Sequence, residues 1–268
     1  MESILILIKK MKKAIVIVSK DYSLESIDYY HKIKGSNDLI IVSPTFKDSK
    51  KILFKYPKIK LIEDEIILSK DDYPLINKTK RPNWYYQQFL KYKIVTSLNY
   101  DLVHIVDGDS FIDEKILFVE DTLYYTNKNI EINYRNFMNE INPKYNTQKR
   151  NFITNQICFS KKKLNLLLNP ISNVEKNWID YFCQILIENP EYWLSEYQLY
   201  ANFIIENSVE KVEIKEIKVF RRLDLLKIVD VKKGLKKYSL LAFENSHDGG
   251  FLRILRARFF YFCGINLG

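Results

Sequence analysis

Glycine, proline and cysteine are scarce in this chain of 268 residues. Seven glycines and seven prolines leave no low-complexity linker, and no stretch of the sequence repeats. The three cysteines, Cys158, Cys183 and Cys263, lie in apolar surroundings without a Cys-x-x-Cys spacing. Such a sparse and odd set argues against a disulfide framework and a structural zinc site, and it favours a reducing cytoplasm.

Long apolar runs are also missing. The run at residues 4–8 has five apolar residues after Glu2, which is too short for a signal peptide or a membrane span. No other stretch reaches transmembrane length. Because Met11 would be a natural start, residues 1–11 are interpreted as an N-terminal extension.

Apolar, aromatic and basic residues are abundant. Hydrophobic residues make up 47% of the chain and aromatic residues 14%, which excludes a disordered chain and suffices for one sizeable α/β domain or two small ones. The 42 basic residues exceed the 33 acidic ones and give a net charge of +9. That charge suits a polyanion, but the lysines are scattered rather than interleaved with aromatic residues. Nucleic acid is therefore not a predicted partner.

The first sixty residues predict a parallel sheet. Residues 14–18 and 38–43 are β-branched runs typical of strands buried on both faces, and residues 59–63 predict a third strand. Helices are predicted between these strands, over residues 22–34 and 48–56. This alternation indicates an α/β fold with a Rossmann-like, mostly parallel central sheet flanked by helices.

Residues 102–113 are the clearest functional feature of the sequence. An apolar strand runs into Asp107, Gly108 and Asp109, and α/β sheets bind ligands at the carboxyl ends of their strands. Two carboxylates with little local counter-charge favour a hard divalent cation. The alternative is an Asp-Gly hairpin turn, for which residues 110–112 would be a short second strand.

The helix predicted over residues 83–98 has one polar stripe. Trp84, Gln87, Gln88 and Lys91 follow one another at spacings of three and four on an otherwise apolar helix. Buried amides and a buried ammonium group need partners, which a ligand would supply. The alternative is that Lys91 extends to solvent and that the glutamines bind neighbouring backbone.

Three features of the second half also bear on function. Ser195 with Gln198 three residues later predicts a helix start, where an acid such as Glu196 ordinarily complements the helix dipole. His247 follows the last predicted strand, where an imidazole can reach a metal or remain an ordinary surface group. Residues 120–145 lack periodicity and are predicted to be a flexible active-site loop or an acceptor-binding segment.

The remaining elements are predicted from shorter patterns. Strands are predicted over residues 152–159, 212–220 and 238–243, and helices over residues 161–168 and 173–187. In the tail, residues 251–262 combine three arginines with large apolar and aromatic residues. That composition predicts a C-terminal amphipathic helix, which lies in a membrane interface or docks on the core of the domain.

Over residues 12–250, this order of elements resembles the GT-A class of glycosyltransferases, and most closely the bacterial enzymes that build surface polysaccharide or lipooligosaccharide. The resemblance depends on four short motifs: Trp84-x-x-Gln87-Gln88-x-x-Lys91, Asp107-Gly108-Asp109, Ser195-Glu196-Tyr197 and His247. It implies a single GT-A-like catalytic domain, with a nucleotide-binding half at residues 12–110 and an acceptor-binding half at 111–250. Residues 251–268 would form a basic-aromatic tail.

The resemblance also implies a role for each motif. Asp109 would coordinate Mn²⁺ or Mg²⁺, with Asp107 near the ribose or the metal and His247 as a third ligand. Glu196 would be the general base if the enzyme is inverting. The residues implied to bind the nucleotide-sugar are Ser19, Asp21, Tyr22, Trp84, Gln87, Gln88, Lys91, Asp107 and Gly108. Those implied to bind the acceptor are Asn155, Gln156 and Tyr197.

The implied protein is a metal-dependent, inverting glycosyltransferase. It would move a sugar from a nucleotide-sugar donor to a hydroxyl of a bacterial cell-surface glycan or lipid-linked acceptor. Its expected location is the cytoplasm, with the tail on the inner-membrane surface. A basic residue dedicated to the pyrophosphate is not identified beyond Lys91 or Arg81.

Two alternative functions stay open at this point. A nucleotidyltransferase can share the sheet and the acidic pair, but it would usually have a glycine-rich phosphate loop after its first strand, and residues 19–22 contain no glycine. A non-catalytic polyanion-binding protein would account for the net charge of +9.

Overall fold

The computed structural model describes residues 11–20, 23–46, 49–69, 71–119, 122–146, 148–175, 177–209, 211–220 and 231–243. In the first part of the chain, strands alternate with helices. The elements are β1 (Lys13–Val18), α1 (Leu24–Ile33), β2 (Asp38–Ser43), α2 (Ser49–Lys55), β3 (Lys60–Glu63), α3 (Asp64–Ile67), α4 (Pro82–Ser97) and β4 (Leu102–Asp107). Each strand and helix predicted in this part is confirmed to within a few residues.

In the second part, strands and helices follow one another less regularly. The elements are β5 (Ser110–Ile112), β6 (Thr122–Asn129), α5 (Ile132–Ile141), β7 (Arg150–Asn151), β8 (Gln156–Ser160), α6 (Lys161–Glu175), α7 (Trp178–Glu188), α8 (Glu196–Asn207), β9 (Glu213–Glu216), β10 (Val219–Phe220), α9 (Val231–Leu235) and β11 (Leu240–Ala242). Short 3₁₀ turns lie at Pro74–Lys78, Glu114–Ile116 and Pro143–Asn146.

The central sheet has the strand order β3-β2-β1-β4-β8. Its first four strands are parallel, and β8 pairs antiparallel with β4. The predicted α/β fold with a mostly parallel central sheet is confirmed. Two three-stranded sheets, β10-β11-β5 and β7-β6-β9, lie beside it.

Helices cover both faces of the central sheet because both faces of its inner strands are apolar. Val16 and Ile105 face a core shared with α4, α6, α7 and α8. Ile15 and Val106 face the opposite core, which α1 and α2 complete. Burial of each such side chain contributes about 1.5–3 kcal/mol to the free energy of folding. Asp107 has the same parity as Ile105 along β4, so it lies on the α4 face.

The prediction of a loop over residues 120–145 is wrong, since the described part of this segment forms β6 and α5. The strand β6 is buried mainly in its first half, and its last three residues are exposed. In α5 the buried residues are Phe137 and Met138. The residues of β6 do not alternate regularly, but Tyr134, Phe137, Met138 and Ile141 in α5 have the i, i+3, i+4, i+7 spacing of a helix, which the prediction of a loop overlooked.

The single helix predicted over residues 173–187 is also wrong. The preceding helix α6 continues through Pro170 to Glu175, well beyond its predicted end at residue 168. The helix α7 begins after Asn177, whose side chain accepts a hydrogen bond of 3.0 Å from the backbone nitrogen of Ile179. A local cap at Asn177 thus starts a separate helix inside one apolar pattern.

Three predicted strands are shorter than expected, and the one predicted over residues 238–243 covers only Leu240–Ala242. The strand predicted over residues 152–159 begins only at Gln156, because Asn155 has a positive φ of 56° that a strand cannot contain. The strand predicted over residues 212–220 divides into β9 and β10. These pair in different sheets, so the chain changes sheet between them.

Several predictions fall outside the described residues. They concern Asp21, Tyr22, His247 and the C-terminal helix at residues 251–268. Within the residues that the structure describes, no helix has both the length and the apolar character needed to cross a membrane.

Candidate active site at the carboxyl edge of the sheet

Backbone hydrogen bonds join three segments at the carboxyl edge of the sheet. The nitrogen of Ser19, directly after β1, donates to the oxygen of Val42 at 3.1 Å. The nitrogen of Gly108, directly after β4, donates to the oxygen of Val18 at 3.1 Å. The start of β8 lies at the same edge because this strand is antiparallel, and the nitrogen of Asp107 donates to the Asn155 oxygen at 3.0 Å.

Gly108 is required because Ser19 lies very close to it, and not because the chain makes a hairpin turn there. A Cβ atom at this position would overlap the Cβ and Oγ atoms of Ser19. The hairpin alternative is wrong, because β5 pairs with β11, whereas β4 pairs with β1 and β8. The glycine between the two carboxylates therefore lets the loop after β1 contact the turn after β4.

A buried ammonium group joins two carboxylates below this edge. The Nζ atom of Lys91 lies 2.7 Å from Oδ1 of Asp107 and 2.7 Å from Oε1 of Glu196. It also donates to the hydroxyl of Tyr197 at 2.8 Å, and this hydroxyl donates to Oδ1 of Asp107 at 3.2 Å. The side chains of Lys91 and Glu196 are 5% and 0% exposed, whereas that of Asp107 is 28% exposed. We call Lys91, Asp107, Glu196 and Tyr197 the lysine network.

Local structure explains how α8 brings Glu196 to this position. Ser195 is the N-cap residue, and its side chain accepts a hydrogen bond from the nitrogen of Gln198. The predicted helix start is therefore confirmed. The hydroxyl of Tyr92 on α4 donates to the backbone oxygen of Glu196 at 2.8 Å, which joins the start of α8 to α4. The amide of Gln88 contacts the Glu196 carboxylate, and its nitrogen must face that group because two oxygens would repel.

The charges within the network determine its protonation. Burial alone would lower the pKa of Lys91, but the adjacent charges of Asp107 and Glu196 outweigh it and raise this pKa well above the usual value. Burial raises the pKa of Glu196, and Lys91 opposes that rise. Burial, followed by the charge of Asp107, raises the pKa of Tyr197. Lys91 is therefore a fixed positive charge, and Tyr197 stays a neutral hydroxyl.

The structure separates the four residues of the predicted polar stripe on α4. Gln88 and Lys91 are buried, and the partners that they contact are carboxylates of the protein itself, whereas the prediction was that a ligand would supply them. Gln87 is exposed. Trp84 is half-buried and contacts the guanidinium of Arg81. Lys91 does not extend to solvent, so that alternative is wrong.

Asp109 lies next to the network, half-buried at the edge of the sheet. The hydroxyl of Ser110 donates to its Oδ1 atom at 3.2 Å, and its backbone oxygen accepts from the nitrogen of Phe243 at 2.8 Å. The hydroxyl of Tyr30 on α1 donates to the backbone oxygen of Ser110 at 2.8 Å. The backbone around Asp109 is thus fixed by hydrogen bonds from α1 and from the residue after β11.

The two carboxylates suit a magnesium-like or manganese-like ion in number and chemistry. Such ions are commonly held by one or two carboxylates together with substrate phosphates. Over the described part of the chain, no group of three or more His, Cys, Asp and Glu residues is placed to hold a metal. Lys91 and Tyr197 both contact the Oδ1 atom of Asp107, so a cation at this edge would share that carboxylate with the lysine network.

The predicted acceptor residues lie close to the same edge. Asn155 is nearly buried, and its backbone oxygen supports Asp107. Gln156 is buried at the start of β8, where its Nε2 atom lies 3.4 Å from the hydroxyl of Thr154. Tyr197 belongs to the lysine network. Contact of these residues with an acceptor stays a prediction.

Sequence reasoning missed two tyrosines that matter at this site. Tyr92 joins α4 to the start of α8, and Tyr134 packs against Trp84 and Trp193. Tyr92 lies one residue beyond Lys91, but the all-round apolar character of α4 conceals which of its polar atoms find partners. Tyr134 lies in the segment predicted to be a loop.

No protein-family model and no curated protein matches this chain. Solved structures that resemble it include mannosyl-3-phosphoglycerate synthase from Rubrobacter xylanophilus, at 11% identity and a TM-score of 0.36 over 57% of this chain and 54% of that one. They also include the glycosyltransferase GlyE of Streptococcus pneumoniae TIGR4, at 13% identity over 95% of this chain and 60% of GlyE. The TM-score is 0.46 for its apo form and 0.42 for a second structure.

These structures are glycosyltransferases, the class that the sequence motifs resemble. The chain spans between 54% and 60% of the length of each of them. At these identities and TM-scores, the comparisons transfer neither an activity nor a site residue to this chain.

Proposed function

We propose that this protein is a metal-dependent glycosyltransferase of the GT-A type, which uses a nucleotide-sugar donor. The observation that supports the proposal most is the turn Asp107-Gly108-Asp109 at the carboxyl edge of a parallel sheet, packed directly against the loop after β1. Parallel α/β sheets bind ligands at this edge. A nucleotide held by the loop at Ser19 would have its phosphates next to both carboxylates.

Asp109 and Asp107 would hold the divalent cation, and His247 is the proposed third ligand. When bound, the cation would neutralise the diphosphate and stabilise the leaving nucleoside diphosphate. The chemistry of the donors supports this assignment, because Mg²⁺ and Mn²⁺ are commonly held by one or two carboxylates together with substrate phosphates.

The lysine network would hold Asp107 in one orientation. Lys91 and Tyr197 both contact Oδ1 of Asp107, so the carboxylate cannot rotate without losing an ion pair and a hydrogen bond. Glu196 in turn fixes the ammonium of Lys91. Preorganised groups of this kind lower the barrier because they need not reorient as charge develops.

The general-base role of Glu196 stays a prediction, and the geometry favours a positioning role. Its carboxylate has no exposed surface and already contacts Lys91 and Gln88. An acceptor hydroxyl would have to reach a buried and ion-paired group before it could transfer a proton there. An inverting outcome is therefore proposed from the sequence resemblance alone.

The acceptor is proposed to be a hydroxyl of a bacterial cell-surface glycan or of a lipid-linked sugar. The basis of this proposal is the resemblance of the motifs to enzymes of surface polysaccharide and lipooligosaccharide. The arginine and aromatic composition of residues 251–262 supports a further proposal that the tail lies on the cytoplasmic face of the inner membrane.

Thermal-shift measurements with UDP, GDP and CDP, each with and without Mn²⁺, test the proposal. One nucleotide should stabilise the protein only when Mn²⁺ is present, by about 2.7 kcal/mol at a hundredfold excess over its Kd. The change Asp109→Asn should abolish that shift and reduce sugar transfer about 10²–10³-fold, because a charged ligand of the cation is lost.

The control is Asp72→Asn, which removes an exposed carboxylate outside the site. This variant should keep both the nucleotide shift and the transfer rate. Full activity and an intact Mn²⁺-dependent shift in Asp109→Asn would overturn the proposal. Circular dichroism of both variants checks that each is folded.

A further inference from the structure

A second cluster of side chains lies beside the lysine network. We call it the aromatic platform; its members are Arg81, Trp84, Tyr134 and Trp193. The guanidinium carbon of Arg81 lies 4.2 Å from the ring centre of Trp84 and 5.6 Å from that of Trp193. The ring of Tyr134 lies 6.3 Å from Trp84 and 5.4 Å from Trp193. Arg81 and Tyr134 therefore each contact both indoles.

Backbone and hydroxyl contacts fix the segment that bears Trp193. The nitrogen of Trp193 donates to the backbone oxygen of Asn133 on α5 at 3.2 Å. The hydroxyl of Tyr85 on α4 donates to the backbone oxygen of Tyr192 at 3.1 Å. The segment before α8 is thus bonded to both other elements of the platform, so its rings form a preorganised surface.

The platform is only partly covered by the protein. Trp84, Tyr134 and Trp193 are half-buried, and Arg81 is exposed. The third tryptophan of the chain, Trp178, is buried with 7% exposure. Aromatic rings grouped at the surface around a polar side chain are typical of binding sites, since an isolated core would cover them.

The platform also lies close to the proposed reaction site. Trp84 precedes Lys91 by seven residues on α4, which is roughly 10 Å along the helix axis. Trp193 precedes Glu196 by three residues. Burial is the main cause that raises the pKa of Tyr134 to about 12, and the negative charge of Glu196 contributes to the rise. The platform and the lysine network therefore share α4 and the chain around the start of α8.

We propose that Arg81, Trp84, Tyr134 and Trp193 bind a pyranose ring of the acceptor glycan. The C–H bonds on one face of a pyranose pack on aromatic rings, while its hydroxyls accept and donate hydrogen bonds at the rim. The guanidinium of Arg81, which lies over the ring of Trp84, supplies such a polar group, and the neighbouring Tyr134 adds a hydroxyl. This inference rests on the proposed function, because the acceptor is what a glycosyltransferase binds beside its donor.

The order of elements along the chain distinguishes most of this site from the proposed donor site. Two of the three elements that form the platform, α5 and the segment before α8, follow Asp107-Gly108-Asp109 in the chain. The loop at Ser19, which is proposed to hold the nucleotide, lies after β1 instead. Trp84, which the sequence resemblance assigns to the donor, is reassigned to the acceptor by this proposal.

Saturation-transfer NMR on the full chain tests the platform with four probes: lactose, cellobiose, mannobiose and chitobiose. At least one disaccharide should receive saturation on its ring C–H protons. Trp193→Leu should weaken its binding about tenfold, because one stacking surface is lost. Arg81→Lys keeps the charge but removes the planar guanidinium, so it should also weaken binding. The matched control is Phe54→Leu on α2, since Phe54 is an aromatic side chain with 92% exposure.

Absence of binding by all four disaccharides to the unaltered protein would overturn the platform, as would equal losses in Trp193→Leu and Phe54→Leu. If Trp193→Leu does not fold, the loss of binding in Arg81→Lys tests the proposal instead, because Arg81 is exposed and its replacement should leave the fold intact. The Mn²⁺-dependent nucleotide shift is measured on the same samples. Its presence without disaccharide binding overturns the platform alone. If the nucleotide shift is absent but the unaltered protein binds a disaccharide that the platform variants do not bind, the platform is supported and the proposed function is overturned.

Discussion

The two ends of the central sheet contain the same three kinds of side chain, joined in the same way. At each end a lysine contacts an aspartate and a tyrosine hydroxyl, and that hydroxyl donates to the aspartate. The carboxyl edge has Lys91, Asp107 and Tyr197, and the amino edge has Lys60, Asp38 and Tyr100. The Nζ to carboxylate distances are 2.7 Å and 2.9 Å respectively.

The difference between the two groups is burial. Lys60 and Asp38 are 53% and 44% exposed, so water competes with their contact, which contributes at most about 1 kcal/mol. Lys91 is almost completely buried and has a second carboxylate partner, Glu196. A buried lysine requires such partners, and buried charge clusters in a ligand-binding edge are typical of functional sites. Similar contacts thus stabilise little at the exposed edge, whereas at the buried edge the loss of one partner would leave a buried charge uncompensated.

Replacing the lysine at each edge should give the largest difference in the free energy of unfolding between the two groups. Lys91→Met should lower the free energy of unfolding by about 3–5 kcal/mol, because Asp107 and Glu196 lose their shared cation. Lys60→Met should lower it by less than about 1 kcal/mol, because water replaces the exposed partner. Urea unfolding of both variants measures the difference.

A second variant sharpens this result. Adding Glu196→Gln to Lys91→Met should recover part of the lost stability, because one of the two uncompensated carboxylates is removed. Equal losses in the two single lysine variants would show that burial does not distinguish the two edges.

The close approach at the carboxyl edge should be the next most sensitive feature. Gly108→Ala should lower the free energy of unfolding by about 1–3 kcal/mol, because its Cβ would overlap the Cβ and Oγ atoms of Ser19. It should also weaken Mn²⁺-dependent nucleotide binding, since the loop after β1 must move. Adding Ser19→Gly removes the overlapping atoms and should restore stability. No recovery in the double variant would show that the loss comes from elsewhere.

The last comparison concerns pH and β4, a strand that connects the two edges. His104 is fully buried in β4, and burial lowers its pKa from 6.5 to about 3. Its Nδ1 atom accepts from the nitrogen of Phe118 at 3.3 Å, so the imidazole is held neutral. The unfolded chain binds a proton below pH 6.5 that the folded protein does not. Stability should therefore fall by at most about 1.4 kcal/mol per pH unit as the pH decreases from 6.5 toward 3.

His104→Asn keeps an acceptor for Phe118 and removes this titration. Its urea unfolding curves should vary less with pH between 6.5 and 4 than those of the unaltered protein. Carboxylates titrate in both proteins, so the difference between the two isolates the histidine. Equal pH dependence would contradict a neutral His104 in the folded state.

Much of the first half of the fold was predictable from local patterns. The strand β2 has its predicted bounds, and α4 and β4 agree with prediction to within a residue or two. Continuous β-branched runs and a long apolar helix need no distant partner to be recognised. By contrast, β6 is buried mainly in its first half, so its alternation is weak. The separation of β9 from β10 depends on pairing with strands far away in the chain.

The features of the candidate site likewise divide into those that local patterns predict and those that only tertiary contacts fix. The sequence by itself determined that Asp107 and Asp109 end a buried strand, that Ser195 starts a helix, and that Lys91 lies on the polar stripe of another helix. Each of these follows from residue type and short spacing.

Only the tertiary structure decided which groups meet. It placed Lys91 between Asp107 and Glu196, exposed Gln87, and brought Trp193 beside Arg81. Lys91 and Glu196 are more than a hundred residues apart, and no local preference sets the distance between them. Packing of α4 and α8 on the sheet sets this distance. Burial of apolar area fixes the positions of the two helices, and the buried charges then find partners.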